Sequence, residues 1–333
     1  MTPEPIRWKV PCVIDAHTHY SGREPLAHYL DNLALCGHDQ GVLLTCHGVP
    51  QENAGAFTYE HAPLFRTPPN ANRFHLFGGL SHDVGQVARG DGRYLAPQVG
   101  ALRATGFAGI KMMEGAPYYK KDLPHALDHA YFRPFWEAAE AAGMPITMHL
   151  ANPIDYWQRD DMAATHRDAA PQEEYFRQAE AVLAVHPRLR ITFAHFMFMG
   201  PALERLGRLF ALYPEMRVDL APGNEYLYYL SDNPVAARRF FIQWQDRILY
   251  GTDVSDSNSL TLARAKAEQV RLFLEMDGAY QNPYAAALGK LEMAGSNGRV
   301  ELRGLNLPVP VLDKILCGNV RTWLGRQEFK ESE

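Results

Sequence analysis

Eight short apolar runs recur along this chain, and several of them end in a histidine or an aspartate. The runs are Val10–Ala16, Gly41–Cys46, Phe74–Leu80, Phe107–Met112, Pro145–Leu150, Leu189–Ala194, Met216–Leu220 and Arg247–Gly251. An apolar run of this length bounded by turn residues reads as a buried strand. Between the runs, Leu26–Leu35, Tyr94–Ala104, Tyr131–Ala142, Tyr175–Val185, Leu203–Tyr213, Val235–Trp244 and Leu260–Met276 place apolar residues three and four apart, as amphipathic helices do. Gly106 and Gly143 follow two of these helices as stop signals, and Pro187 and Pro214 follow two others. Eight strands alternating with helices predict a closed parallel (β/α)8 barrel, a TIM barrel, formed by residues 1–333 as a single domain. An open dinucleotide-binding sheet is disfavoured, because no Gly-x-Gly-x-x-Gly follows the first run.

In such a barrel, the chemistry sits at the C-terminal tips of the strands. The tips here carry Asp15-Ala16-His17-Thr18-His19, His149, His195 and Asp253. Residues two apart on a strand face the same way, so Asp15, His17 and His19 are expected to share the inward face. Several imidazoles and one carboxylate form a donor set for a divalent metal. Asp15 is a candidate acceptor for an imidazole N–H, a contact that would fix the tautomer. Three segments read as loop excursions: Gly48–Asn72, Trp157–Gln172 and Gly278–Pro308, the first two at the C-terminal face. Tyr20 follows the first pair of histidines, and Tyr156 and Arg159 follow the fifth run. Asn224 and Glu225 follow the seventh. All five are candidate substrate contacts. His47 and His82 are the other histidines placed to reach the mouth.

The bulk composition excludes several classes. A formal net charge of −5 gives no basic footprint for nucleic acid. No run approaches a membrane span. The sequence Met1-Thr2-Pro3-Glu4-Pro5 lacks a basic region and an apolar core, so a cytoplasmic protein is expected. Cys12, Cys36, Cys46 and Cys317 form no Cys-x-x-Cys pair and are expected to be reduced thiols. Gly-x-Ser-x-Gly and P-loop motifs are absent.

Taken in order, six motifs resemble the amidohydrolase superfamily, and within it the second amidohydrolase family. They are Asp15-Ala16-His17-Thr18-His19, Gly106-Phe107-Ala108-Gly109-Ile110-Lys111, Ile146-Thr147-Met148-His149, Thr192-Phe193-Ala194-His195, Gly251-Thr252-Asp253 and Lys314-Ile315-Leu316-Cys317-Gly318-Asn319. The resemblance implies one divalent metal, zinc or else manganese, held by His17, His19, His149 and Asp253. It implies that His195 is a further ligand or the catalytic acid/base, with Asp253 also taking a proton from the metal-bound water. It implies a hydrolase that attacks an ester, lactone or amide carbonyl with metal-bound hydroxide, or alternatively a non-oxidative decarboxylase of an aromatic or unsaturated acid. Lys111 stands where some superfamily members carry a metal-bridging carbamate. An ammonium that pairs with an acidic substrate, or a structural role, remains open beside that. Related proteins often have a histidine two residues further on; Met113 stands there instead. The expected partner is a small-molecule substrate, with a homodimer possible.

Overall fold

The structure is a computed structural model that describes residues 4–46, 50–52, 57–157, 169–222, 225–288 and 295–325. Its sheet follows the eight-run pattern. The strands are β1 (Ile14–His19), β2 (Gln40–Leu44), β3 (Phe74–Gly78), β4 (Gly109–Gly115), β5 (Ile146–Leu150), β6 (Ile191–Phe193), β7 (Arg217–Asp219), β8 (Ile248–Leu249) and β9 (Val254–Ser255). They pair in parallel in the order β8-β7-β6-β5-β4-β3-β2-β1-β9. β8 and β9 are two pieces of the eighth barrel position, parted by Tyr250–Asp253. The piece between them is bonded to β1 as well: Ala16 N–H donates to Tyr250 O at 2.8 Å, and Asp253 N–H to His17 O at 2.7 Å. The sheet therefore curls round to its own first strand.

Helices cover the outside where their apolar stripes predicted. Leu26–Leu35 matches its expected bounds, Leu260–Glu275 ends a residue early, and Pro234–Gln243 is shifted by one residue at both ends. Ser259 and Asn233 cap the last two, each side chain accepting an N–H of the first turn. Gly143, at φ 57°, ends Arg133–Ala142 in the left-handed conformation that glycine adopts without strain. Two apolar layers result. One joins the strands to the helices. The other includes Ile14, Ala16, Val42, Leu44, Phe77 and Leu249 from the strands, closed off by Val320 and Trp323 of the final helix, Asn319–Leu324.

Three expectations are corrected. The run Val10–Ala16 becomes a strand only from Ile14, and the strand continues to His19. Its pairing with β2 slips between Asp15 and Thr18, which is a bulge. Ile14, Asp15 and Ala16 still alternate, the first and third joining the inner cluster and Asp15 reaching His38 on the other side, 3.4 Å away; the bulge breaks the alternation beyond them, so His17 and His19 do not share the face of Asp15. The loop expected after β7 contains a helix, Glu225–Asp232. Within the expected Gly278–Pro308 excursion, Asp277–Gln281 and Glu301–Leu305 form an antiparallel pair. Among the described residues, no helix is long and apolar enough to cross a membrane.

The cysteines also depart from the reduced-thiol expectation. Cys12 and Cys317 form a disulfide with Cα atoms 5.8 Å apart, whereas Cys36 and Cys46 are free. Spacing in the sequence hides this pairing, because the closing turn folds back beneath β1 across 305 residues.

Candidate metal centre

The bulge in β1 is what aims both histidines at the barrel mouth. Beyond it, His17 and His19 face Asp253, which follows β8. Nε2 of His19 lies 3.0 Å from Asp253 Oδ1, and Nε2 of His17 lies 3.8 Å from the same oxygen. One ligand atom from each of the three residues lies within 4.8 Å of the others, an arrangement that could hold a cation. Both imidazoles are already oriented. His17 Nδ1 lies 2.8 Å from Asp219 Oδ2, and His19 Nδ1 donates to Leu44 O at 2.7 Å. These contacts satisfy Nδ1 of each ring and turn both Nε2 atoms toward Asp253 Oδ1, where a bound cation would meet their lone pairs.

Asp219 is the residue that reading the sequence for ligands missed. It is fully buried at the tip of β7. Its Oδ1 accepts the main-chain N–H groups of His195 and Ala221 at 2.9 and 3.1 Å. Its position at a strand tip was the available signal, since His149, His195 and Asp253 were found in the same way. Asp15, expected to orient an imidazole in the mouth, accepts the main-chain N–H of His17 and of Thr252 and bonds the Thr252 hydroxyl. The bulge turns it away from the mouth.

His195 stands beside the three. Its ring centroid is 5.2 Å from that of His17 and 4.9 Å from that of His149. Nδ1 faces Ala221 O at 3.2 Å, and burial pushes the imidazole pKa down to about 4. The backbone carrying it is strained. His195, Phe196, Met197 and Phe198 all have φ between 52° and 57°, a left-handed turn without glycine. L-residues pay roughly 1–2 kcal/mol each in that conformation. Burial holds the turn: Phe196 stacks on Tyr226 and Phe241, and Phe198 stacks on His195 itself.

His149 is near but outside the three-residue group. Its Nε2 lies 3.1 Å from Asn152 Oδ1, so the loop after β5 engages one of its two ring nitrogens. Lys111 is buried, with Nζ 3.4 Å from His17 Nε2, and burial lowers its pKa.

The expected substrate contacts divide. The ring of Tyr20 turns from the centre onto Tyr29, His61 and Phe65, because it follows His19 on the strand and alternates to the other face. It still lines a cavity of about 400 Å³ together with His19, Cys46 and Tyr59. Tyr156 sits in the short turn Ile154–Trp157, partly buried. Glu225 is buried rather than solvated, and burial raises its pKa well above the usual carboxyl range. Gly295 presses against it: a Cβ there would lie 2.7 Å from Glu225 Cβ. Arg159, Asn224 and His47 lie outside the described residues. His82 is committed elsewhere, with Nε2 2.8 Å from Glu114 Oε1 and Nδ1 2.7 Å from the Tyr131 hydroxyl.

Solved structures with the same fold include 5-carboxyvanillate decarboxylase LigW from Sphingomonas paucimobilis, at 16% identity and TM-score 0.56, covering 95% of this chain and 99% of that one. A dihydroxybenzoic acid decarboxylase from Polaromonas sp., solved with manganese and 2-nitroresorcinol, aligns at 15% identity and TM-score 0.55 over 95% and 97%. A provisionally assigned 2-pyrone-4,6-dicarboxylic acid hydrolase from Pseudomonas putida aligns at 15% and 0.50 over 96% and 99%. No curated protein matches the chain. The family model described as amidohydrolase, that of the second amidohydrolase family, matches residues 77–326, from within β3 to beyond the final helix. With three quarters of its length matched and the barrel in place, the chain belongs to the second amidohydrolase family.

Proposed function

We propose that this protein is a metal-dependent hydrolase that opens an ester, lactone or amide of a small acidic substrate. One divalent cation, zinc in preference to manganese, would be held by His17, His19 and Asp253. The observation that carries this reading is the convergence of two oriented Nε2 atoms and one carboxylate oxygen within 4.8 Å. Two imidazoles and a carboxylate are a donor set found in catalytic zinc sites, which keep a further position open. When bound, such a cation polarises a carbonyl and lowers the pKa of a coordinated water toward 7.

The chain's own groups would do the rest. Asp219 fixes the His17 ring from behind. His195, neutral at pH 7 because its pKa sits at about 4, is a proton acceptor with Nε2 available. Asp253 is the second acceptor. Lys111 offers a buried cation to an anionic substrate. His149, outside the three-residue group and bonded through Nε2 to Asn152, would have to move to become a fourth ligand.

Decarboxylation is the second reading. Lys111 favours it, since a buried ammonium would grip a carboxylate, and two of the solved neighbours are named as decarboxylases of aromatic acids. That reaction must deliver a proton to carbon from His195 or Asp253, and burial disfavours the protonated form of His195. The test is to load the protein with zinc or manganese and offer lactones, esters, amides and aromatic acids. Acid release without carbon dioxide supports hydrolysis, and carbon dioxide release overturns it. His17→Ala and Asp253→Ala should both lose the metal while keeping the barrel; full occupancy in both would remove the metal centre from the account.

A further inference from the structure

Lys266 lies in the second turn of the helix Leu260–Glu275, far in sequence from every motif described above. It is 7% exposed, and an ammonium taken out of water needs partners. Among the described residues, its polar contacts both belong to Asp253. Nζ donates to the Asp253 main-chain carbonyl, and it lies 3.8 Å from Asp253 Oδ2.

Asp253 needs such a hold. It is one of the few non-glycine residues with positive φ, at 56°. It sits in the break between β8 and β9, where the ladder that would fix its backbone is interrupted. Its N–H donates to His17 O at 2.7 Å, which anchors one side of the residue. Lys266 anchors the other. Its charge also lies beside Oδ2, on the carboxylate whose Oδ1 faces the Nε2 of His19. The two oxygens thus have separate duties: one faces the imidazoles and the other faces the lysine.

We propose that Lys266 is a positioning residue of the metal centre, fixing Asp253 through its carbonyl and its outer carboxylate oxygen so that the inner oxygen meets a divalent cation in a set geometry. The inference rests on the metal reading above. Groups that orient a metal ligand typically change affinity by roughly 10–100-fold when removed. Lys266→Met keeps the length and apolar stem of the side chain and removes both contacts. Lys266→Arg restores a cation with different geometry.

The experiment measures Mn²⁺ and Zn²⁺ dissociation constants by chelator competition for wild type and both variants, with melting temperatures of the metal-free and metal-loaded forms. We expect Lys266→Met to weaken binding about 10–100-fold, Lys266→Arg to recover part of the loss, and the gain in melting temperature on adding metal to shrink in Lys266→Met. Unchanged affinity, or an equal fall in both melting temperatures with affinity intact, would reduce Lys266 to a structural residue and overturn the inference. Wild type binding no metal would overturn the metal centre and this inference with it. If Lys266→Met does not fold, Lys266→Gln, which removes the charge beside Asp253 Oδ2 and shortens the reach, tests the same loss of affinity.

Discussion

His17 Nδ1 and Asp219 Oδ2 lie 2.8 Å apart, and neither residue is more than 1% exposed. This contact joins the first strand of the barrel to the seventh and decides which nitrogen of His17 faces the mouth. Asp219→Asn tests it. The amide can still offer its oxygen to His17, but its NH2 then meets the N–H groups of His195 and Ala221, which need an acceptor. We expect metal affinity to fall on the order of 10–100-fold and stability to fall by about 1–3 kcal/mol. An Asp219→Asn protein that binds metal like wild type would show that the tautomer is fixed some other way.

His195→Asn separates a base from a ligand. As a base, its loss should lower turnover by about 10²–10⁴-fold with metal content unchanged. If metal and rate disappear together, His195 is a required ligand. Elemental analysis of the purified variant beside a rate measurement decides the matter.

Lys111→Met addresses the buried ammonium. The side chain keeps most of its volume and loses its charge, so we expect KM for an anionic substrate to rise strongly and metal content to stay at one per chain. Two metals per wild-type chain, falling in the variant, would instead reveal a bridging carbamate.

Stability should respond to acid through His75. Burial pushes its pKa from 6.5 down to about 4, and it lines a cavity of about 130 Å³ with Arg103 and Arg190. The unfolded chain takes up a proton near pH 6.5, and the folded chain does so only near 4. The stabilising contribution is therefore complete above about 6.5 and declines as the pH falls toward 4, by at most about 1.4 kcal/mol per pH unit. Urea titrations of wild type and His75→Gln across that window should show the shallower slope in the variant; equal slopes would mean the imidazole protonates alike in both states.

The disulfide gives a prediction of its own. Closing a loop of this length restricts the unfolded chain, and such bridges contribute about 2–5 kcal/mol. Cys317→Ser, or reduction under non-denaturing conditions, should lower the melting temperature without altering metal affinity, because the bridge lies at the end of the barrel opposite the mouth. A melting temperature insensitive to reductant would show that the bridge contributes nothing measurable.

The barrel was readable because apolar periodicity reports burial directly. Val42 and Leu44, or Ile146 and Met148, are apolar because a strand there is covered, and short-range pattern is enough to show it. The residues of the candidate site stand out at strand tips for a similar reason: a polar side chain such as His195 closing an apolar run is costly to bury without a partner. What escaped depends on contacts between distant segments. The bulge between Asp15 and Thr18 leaves no local mark, yet it reverses the expected facing of Asp15. Lys266 looks like any lysine on an amphipathic helix until the helix is docked. Cys12 and Cys317 carry no spacing signal at all. The helix Glu225–Asp232 escapes a sequence reading because Pro222-Gly223-Asn224, just before it in sequence, are turn-forming residue types, and its apolar face is clear only against Phe196.

The bond between Cys12 and Cys317 also alters what counts as an end of this molecule. Residues 12–317 form a covalent ring, so the order of the barrel's segments around it is fixed while its starting point is not. A peptide link in place of the disulfide, with new termini opened in an exposed loop elsewhere, would yield a circular permutant carrying the same mouth. The two histidines of β1 and Asp253, now more than 200 residues apart in sequence, would then be separated by only about 70, although in space they already converge.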